Sequence, residues 1–244
     1  MKHKKKSNLM YRLLLLVLCI IIGVCLFNIG KILYGYYEGT KVYNQVQELA
    51  GVKEFDINKI NFEALREKNK DIRGWLYSED TVINYPIVQG KDNDYYLYRM
   101  FNKQWNEKGS LFVDYRCEKP FKDFNTIVYG HRMKDGSMFH AITEYSDREY
   151  YKKHKKMILL TPDKKYNLHI FCIARIPANS ELYKTAFHSN SEKREYINRI
   201  EKLSETKMDD VKLSTSDKIV MLSTCTRELD DDRIVVYGKL EEIK

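Results

Sequence analysis

A cysteine, a histidine and an arginine stand at the ends of three predicted strands. Cys225 follows the apolar run KIVMLST, His131 follows NTIVYG, and Arg233 opens RIVVYGKL. A thiolate is a strong nucleophile, and an imidazole exchanges protons near neutral pH. A guanidinium has fixed donors that can lower a thiol pKa or hold an oxyanion. These three residues could therefore serve a reactive cysteine.

Each of these residues also has a simpler interpretation. Cys225 could be a buried, inert strand-end cysteine, and His131 could be a hydrogen-bonded or surface histidine. Arg233 could pair with the acidic run at 230–232. The sequence has no CxxC, HExxH or other closely spaced Cys/His set, so we predict no metal site.

Short apolar or alternating runs separated by turn residues dominate the chain from Gly74 onward. Eight of them read as strands: GWLY, VINYPIV, GSLFVD, NTIVYG, KMILLT, YNLHIFCIARI, DKIVMLST and RIVVYGKL. An amphipathic helix, SEKREYINRIEKLSE, separates the sixth and seventh strands. Strands and helices do not alternate strictly, so the pattern favours a mainly β fold, a closed or nearly closed eight-stranded barrel.

An uncharged segment of 18 residues, 13–30, precedes this body and is long enough to cross a membrane. A cleavable signal peptide is the alternative, but no small-x-small cleavage site follows. We predict a cytoplasmic tail at 1–12, an anchor at 13–30, a linker with two helices at 31–70, and an exported barrel at 71–244. The two helices are indicated by the spacing of Val42, Val46 and Leu49 and by NFEALREKN, with Asn61 as its N-cap.

The composition and charge exclude several other classes of protein. With 43% hydrophobic and 31% charged residues, the chain suits a packed globular domain. Five positive charges of the net +8 lie in the first 12 residues, which leaves +3 for the rest and no basic stripe for nucleic acid. The exported part holds Cys117, Cys172 and Cys225, and spacing alone does not say whether the first two pair.

Taken together, the motifs around the three residues resemble those of the sortase family. LSTC ending at Cys225, IVYGH ending at His131, and Arg233 at the start of the next strand match its TLxTC, histidine and arginine signature, with Met221 where threonine is usual. The features that resemble class B sortases are DIRGWLYSEDTVINYPIVQGKDNDYYL, GSLFVDYR, NTIVYGHRMKDGSMF, the two helices before the first strand and the helix before the seventh strand.

The resemblance implies a membrane-anchored transpeptidase on the outer face of a Gram-positive cell, with no cofactor. Cys225 would attack the Thr carbonyl of a C-terminal NPxTx-like sorting signal, His131 would transfer protons, and Arg233 would stabilise the oxyanion. The acceptor would be an amine of a peptidoglycan cross-bridge or its lipid-linked precursor. Substrate-binding positions implied by the motifs are Asn93, Leu97, Leu182, Tyr183 and Ser223.

Three alternatives to this function remain open. A membrane-tethered cysteine protease would use the same Cys/His pair and hydrolyse the acyl enzyme. A pilin-polymerising class C sortase is disfavoured because the sequence shows no lid-like segment before the barrel and no second C-terminal hydrophobic span. A non-catalytic adhesin would need neither Cys225 nor His131.

Overall fold

The computed structural model describes residues 3–52, 56, 59–203, 211–225 and 232–243, with only the backbone of residues 3–8 and Cys225. The chain divides into two compact units, Met1–Lys41 and Val42–Lys244. The second unit contains the barrel, and it begins within the last turns of the first helix.

The first helix, α1, runs from His3 to Leu49 without a break. The apolar segment and the first of the two predicted helices are therefore one element, where the sequence suggested two. No proline lies in this stretch, and isolated glycines cost a helix only about 1 kcal/mol each, so nothing interrupts it. Its part from Leu9 onward is long and apolar enough to cross a membrane.

The second helix, α2, spans Phe62–Lys68 and begins as predicted. The Asn61 side chain accepts a hydrogen bond from the Ala64 amide at 3.0 Å, which makes Asn61 the N-cap.

All eight predicted strands are present. They are β1 (Ile72–Tyr77), β2 (Asn84–Val88), β3 (Leu111–Val113), β4 (Asn125–His131), β5 (Lys156–Leu160), β6 (Lys165–Pro177), β7 (Lys218–Cys225) and β8 (Asp232–Glu242). They form a closed barrel in the order β1-β2-β3-β4-β7-β8-β6-β5, and β5 pairs with β1 to close it. The predicted barrel is confirmed.

Two of the strand pairs, β2/β3 and β4/β7, are parallel, and the others are antiparallel. A parallel pair needs a long crossover connection. The connection from β4 to β7 contains α3 (Arg148–Lys153), β5, β6 and α4 (Asn190–Leu203). The C-terminal ends of β4 and β7 therefore lie side by side although they are far apart in sequence.

Helix α4 lies between β6 and β7 in the chain, as predicted, and its apolar face is buried. Tyr196, Ile197 and Ile200 share a core cluster with Ile127 of β4 and Met221 of β7. Because side chains alternate along a strand, Val128 and Leu222 belong to the opposite face, and both are fully buried. The sheet thus has apolar contacts on both faces in this region.

Candidate active site

His131 and Cys225 are direct neighbours in the parallel ladder of β4 and β7. Both strands end at these residues, so the pair lies at the rim of the barrel. Two residues earlier, on the same face, Tyr129 pairs with Ser223, and two residues before that Ile127 pairs with Met221. We call these three pairs the outer row.

Arg233 lies on β8, the strand on the other side of β7. Ser223 pairs with Val235 in the antiparallel β7/β8 ladder, so continuing this register by two residues places Arg233 opposite Cys225. The Thr224 hydroxyl links β7 to β8 at this level, since it accepts a hydrogen bond from the Ile234 amide at 3.1 Å. The fold therefore brings the three sequence-predicted catalytic positions to one level on three adjacent strands.

The imidazole of His131 is held by the backbone of a neighbouring segment. His131 is buried, and its Nε2 lies 2.6 Å from the carbonyl oxygen of Leu97, next to the Tyr98 ring at 5.6 Å between centroids. A carbonyl oxygen only accepts, so Nε2 carries the proton in this contact. In the neutral imidazole, Nδ1 is then the nitrogen that can accept a proton.

Two of the predicted substrate-binding residues are linked by a direct hydrogen bond. The Tyr183 hydroxyl lies 2.9 Å from the Ser223 Oγ, and the Tyr183 ring stacks on Tyr129 with centroids 6.0 Å apart. The Tyr129 hydroxyl donates to Asp114 Oδ2 at 2.9 Å. Asn93, a third predicted residue, donates to the same oxygen at 3.2 Å.

Asp114 is the centre of this network, and the sequence did not single it out. Its side chain has no exposed surface and accepts from Arg116 Nη2 at 2.7 Å. Burial by itself would raise the pKa of this carboxyl, but hydrogen bonds and charge from Arg116 outweigh it and lower the pKa. Burial and the Asp114 charge raise the pKa of Tyr129, so its hydroxyl stays a donor.

Leu97 and Leu182 occupy different settings from the other three predicted substrate residues. Leu182 is 4% exposed and belongs to the core cluster under α4, where its carbonyl accepts from Tyr196 at 2.9 Å. Leu97 is half-buried, and its carbonyl oxygen contacts the His131 imidazole. The structure therefore groups Asn93, Tyr183 and Ser223 in one network and places Leu182 beneath it.

The remaining cysteines do not form a disulfide within the described part of the chain. Cys117 and Cys172 are both buried thiols, and the Cys172 thiol donates to the Ile200 carbonyl at 3.6 Å. Burial raises the pKa of Cys117 to about 11.

The described residues show no metal site. No group of three His, Cys, Asp or Glu is placed to hold a metal ion within residues 3–52, 56, 59–203, 211–225 and 232–243. Asp230 and Asp231 lie outside the described residues.

Comparison with known proteins decides the family. The family model of the sortase domain matches residues 76–241, which include both strand ends of the outer row and Arg233. The chain belongs to the sortase family. Sortase B of Listeria monocytogenes is 35% identical over 231 residues, covering 91% of this chain and 94% of that protein.

Solved sortase structures agree with this assignment. Sortase B from Bacillus anthracis superposes with a TM-score of 0.78 at 37% identity, covering 87% of this chain and all of that one. A sortase B–substrate complex from Staphylococcus aureus gives a TM-score of 0.78 at 30% identity, covering 85% and 98%. The chain is a class B sortase, a cysteine transpeptidase, and the resemblance seen in its motifs is confirmed.

Proposed function

We propose that this sortase cleaves an NPxTx-like sorting signal of exported proteins and joins the Thr carbonyl to an amine of peptidoglycan or its precursor. The observation that carries the proposal is the register of β4, β7 and β8, which brings His131, Cys225 and Arg233 to one level. A nucleophile, a proton-transfer group and an oxyanion donor are the parts that acyl transfer needs.

In the first half of the reaction, the Cys225 thiolate attacks the Thr carbonyl carbon. The carbonyl oxygen becomes an oxyanion, and the Arg233 guanidinium stabilises it, an effect worth about 3 kcal/mol at comparable sites. The C–N bond then breaks. The His131 imidazolium gives its proton to the departing amine, which leaves a thioacyl enzyme.

In the second half, an acceptor amine attacks the thioester carbon. His131, now neutral, takes the proton that this amine loses, and collapse of the intermediate breaks the C–S bond. The new amide is released, and Cys225 returns to the thiolate. Since Nε2 donates to Leu97, we assign these proton transfers to Nδ1.

The sorting signal would lie against the network next to the outer row. Ser223 is two residues before Cys225, and its partner Tyr183 comes from the segment before α4. Asn93 would contribute from the other side of Asp114. A sortase B of Staphylococcus aureus, with which this chain shares its fold, has been solved as a substrate complex, which supports substrate binding by this chain.

The N-terminal helix would hold the enzyme at the membrane. We infer that residues 1–12 are cytoplasmic, residues 13–30 cross the bilayer, and the barrel at 71–244 works at the outer face of a Gram-positive cell. The lysines before the apolar segment favour a cytoplasmic N-terminus. Both substrates would emerge at the same membrane, where tethering raises the effective concentration of the enzyme.

The experiment that tests this function uses the full chain in detergent micelles and a panel of quenched sorting-signal peptides. Each peptide is incubated with and without a peptide amine such as triglycine, and Cys225→Ala is the control. We expect cleavage of NPxTx-type peptides and incorporation of the amine after Thr. Cleavage that never incorporates the amine would identify a cysteine protease, and cleavage by the Cys225→Ala variant would overturn the proposal.

A further inference from the structure

The carbonyl that contacts His131 lies directly against the backbone of a glycine. Gly109 has a φ of +56°, and a Cβ added there would lie 2.3 Å from the Leu97 carbonyl oxygen. Such a distance is far inside van der Waals contact, so only glycine lets the two backbones meet. The position of the Leu97 oxygen therefore depends on where the Gly109 backbone lies.

The Gly109 backbone is fixed from the end of α1. The Tyr43 hydroxyl donates a hydrogen bond to the Gly109 carbonyl, and its oxygen also lies 3.3 Å from Ser110 Oγ. Tyr43 is 3% exposed, and its ring packs edge-on against Tyr85 at 5.2 Å between centroids. Burial raises the pKa of Tyr43, so the hydroxyl keeps its proton and remains a donor.

The contacts form a continuous path from the helix to the imidazole. We propose that Tyr43 is a positioning residue for His131, which it orients through the backbones of Gly109 and Leu97. The inference rests on the proposed role of His131 in proton transfer. General acid–base catalysis needs hydrogen-bond reach to the reacting atoms, and a displacement of about 1 Å can cost about 100-fold in rate.

The test compares two variants that each remove one buried tyrosine hydroxyl. Tyr43→Phe keeps the ring against Tyr85 and removes only the hydroxyl, which donates to the Gly109 carbonyl and also contacts Ser110 Oγ. Tyr145→Phe is the matched control, because Tyr145 is also fully buried and its hydroxyl donates to a backbone carbonyl, that of His154, at 2.8 Å. Both are measured in the full chain in detergent, with kcat and KM for a cleaved sorting peptide.

We expect Tyr43→Phe to lower kcat on the order of 10-fold with KM nearly unchanged, since the network of Asn93, Tyr183 and Ser223 is not altered. Tyr145→Phe should keep kcat within about two-fold of the wild-type value. Its melting temperature should fall by as much as that of Tyr43→Phe. Equal losses of kcat in both variants, or wild-type kcat in Tyr43→Phe, would overturn the proposal.

A second readout does not depend on turnover. In a chain labelled with ¹⁵N-histidine and studied at a pH high enough for the His131 imidazole to be neutral, the His131 signal, assigned by its loss in His131→Ala, should show the Nε2–H tautomer. Tyr43→Phe should raise the Nδ1–H population, and Tyr145→Phe should not. If the tautomer shifts although no peptide is cleaved by the wild type, the proposed function fails and the positioning role stands.

Gly109→Ala provides the second variant, because its added methyl group pushes directly on the Leu97 oxygen. We expect at least the kcat loss and tautomer shift of Tyr43→Phe. If a folded Gly109→Ala enzyme keeps the wild-type kcat and the wild-type tautomer, the path does not position His131 and the proposal is wrong.

Discussion

The outer row has a lower half, the pair farthest from the rim, and an upper half, the two pairs nearest to it. Both halves lie on the same face of the same two strands and in the same register, yet they have different roles. In the lower half, Ile127 and Met221 have no exposed surface and pack beneath α4. In the upper half, Tyr129 pairs with Ser223 and His131 with Cys225. Successive pairs are two residues apart, about 7 Å along the strands.

The difference lies in what covers each half. Side chains of α4 cover the lower half, so apolar residues there lose contact with water and stabilise the fold. The upper half meets hydrogen-bonding groups instead, such as the Leu97 carbonyl and the Tyr183 hydroxyl. We expect changes in the upper half to reduce turnover and changes in the lower half to reduce stability.

The largest effect is expected for His131→Ala in the upper half. The departing amine loses its proton donor, so turnover of the sorting peptide should fall about 100- to 10,000-fold. The melting temperature should change little, because the site is at a strand end. Initial rates and thermal unfolding of the same preparation check both parts. A parallel loss of stability and turnover would remove the distinction between the two halves.

Arg233→Lys should have the next largest effect. Lysine keeps the charge but loses the planar fork, so we expect about a 100-fold fall in kcat with the fold intact. Steady-state kinetics of the Lys and Ala variants separate the possibilities. Near-wild-type activity in Arg233→Lys alone would mean that charge suffices, and activity in both would leave Arg233 as a partner of the acidic run.

Met221→Ala tests the lower half. Removal of a fully buried side chain beneath α4 should cost about 2–5 kcal/mol in the free energy of unfolding. The kcat of the folded fraction should remain close to that of the wild type. Urea unfolding gives the first quantity, and active-site titration with a thiol reagent normalises the second. A large drop in kcat per folded molecule would show that the halves are coupled.

The smallest effect concerns Asp114, the carboxylate behind the upper half. Its pKa is lowered in the folded state, so it stabilises the fold above the unfolded pKa of about 3.9, and this stability is lost as the pH falls through the lower folded value. Below about pH 4, the melting temperature of Asp114→Asn should therefore depend less on pH than that of the wild type. If the melting temperature of this variant falls with decreasing pH as steeply as that of the wild type, Arg116 does not stabilise the carboxylate.

The sequence predicted the strands, the helix before β7 and the family, because alternation and motifs are local signals. It did not predict the order β1-β2-β3-β4-β7-β8-β6-β5, since the pairing of β4 with β7 depends on contacts far apart in the chain. The continuity of α1 was also missed, because the apolar segment and the amphipathic turns near Val42 have different patterns.

Some contacts of the site could not be predicted from the sequence, although the residues that make them are in recognisable segments. The Leu97 residue was identified by motif, but its contact to His131 uses a backbone carbonyl, which every residue carries. Asp114 ends the segment GSLFVD, and Tyr129 precedes His131 by two residues. Strand alternation could have placed Tyr129 beside the histidine, whereas the buried pairing of Asp114 with Arg116 required the tertiary fold.

The most direct test of the account is the mass of the enzyme during turnover. The full chain is mixed with an NPxTx peptide, quenched in acid within the first turnover, digested and analysed by mass spectrometry. We predict that the peptide up to Thr is attached as a thioester to Cys225 and to no other cysteine, since Cys117 and Cys172 are buried and Cys19 and Cys25 lie in the apolar segment 13–30, which the detergent covers. Addition of triglycine before quenching should remove it and yield the Thr–Gly amide. Cleavage of the peptide with no acyl group on Cys225, or with the group elsewhere, would contradict the account.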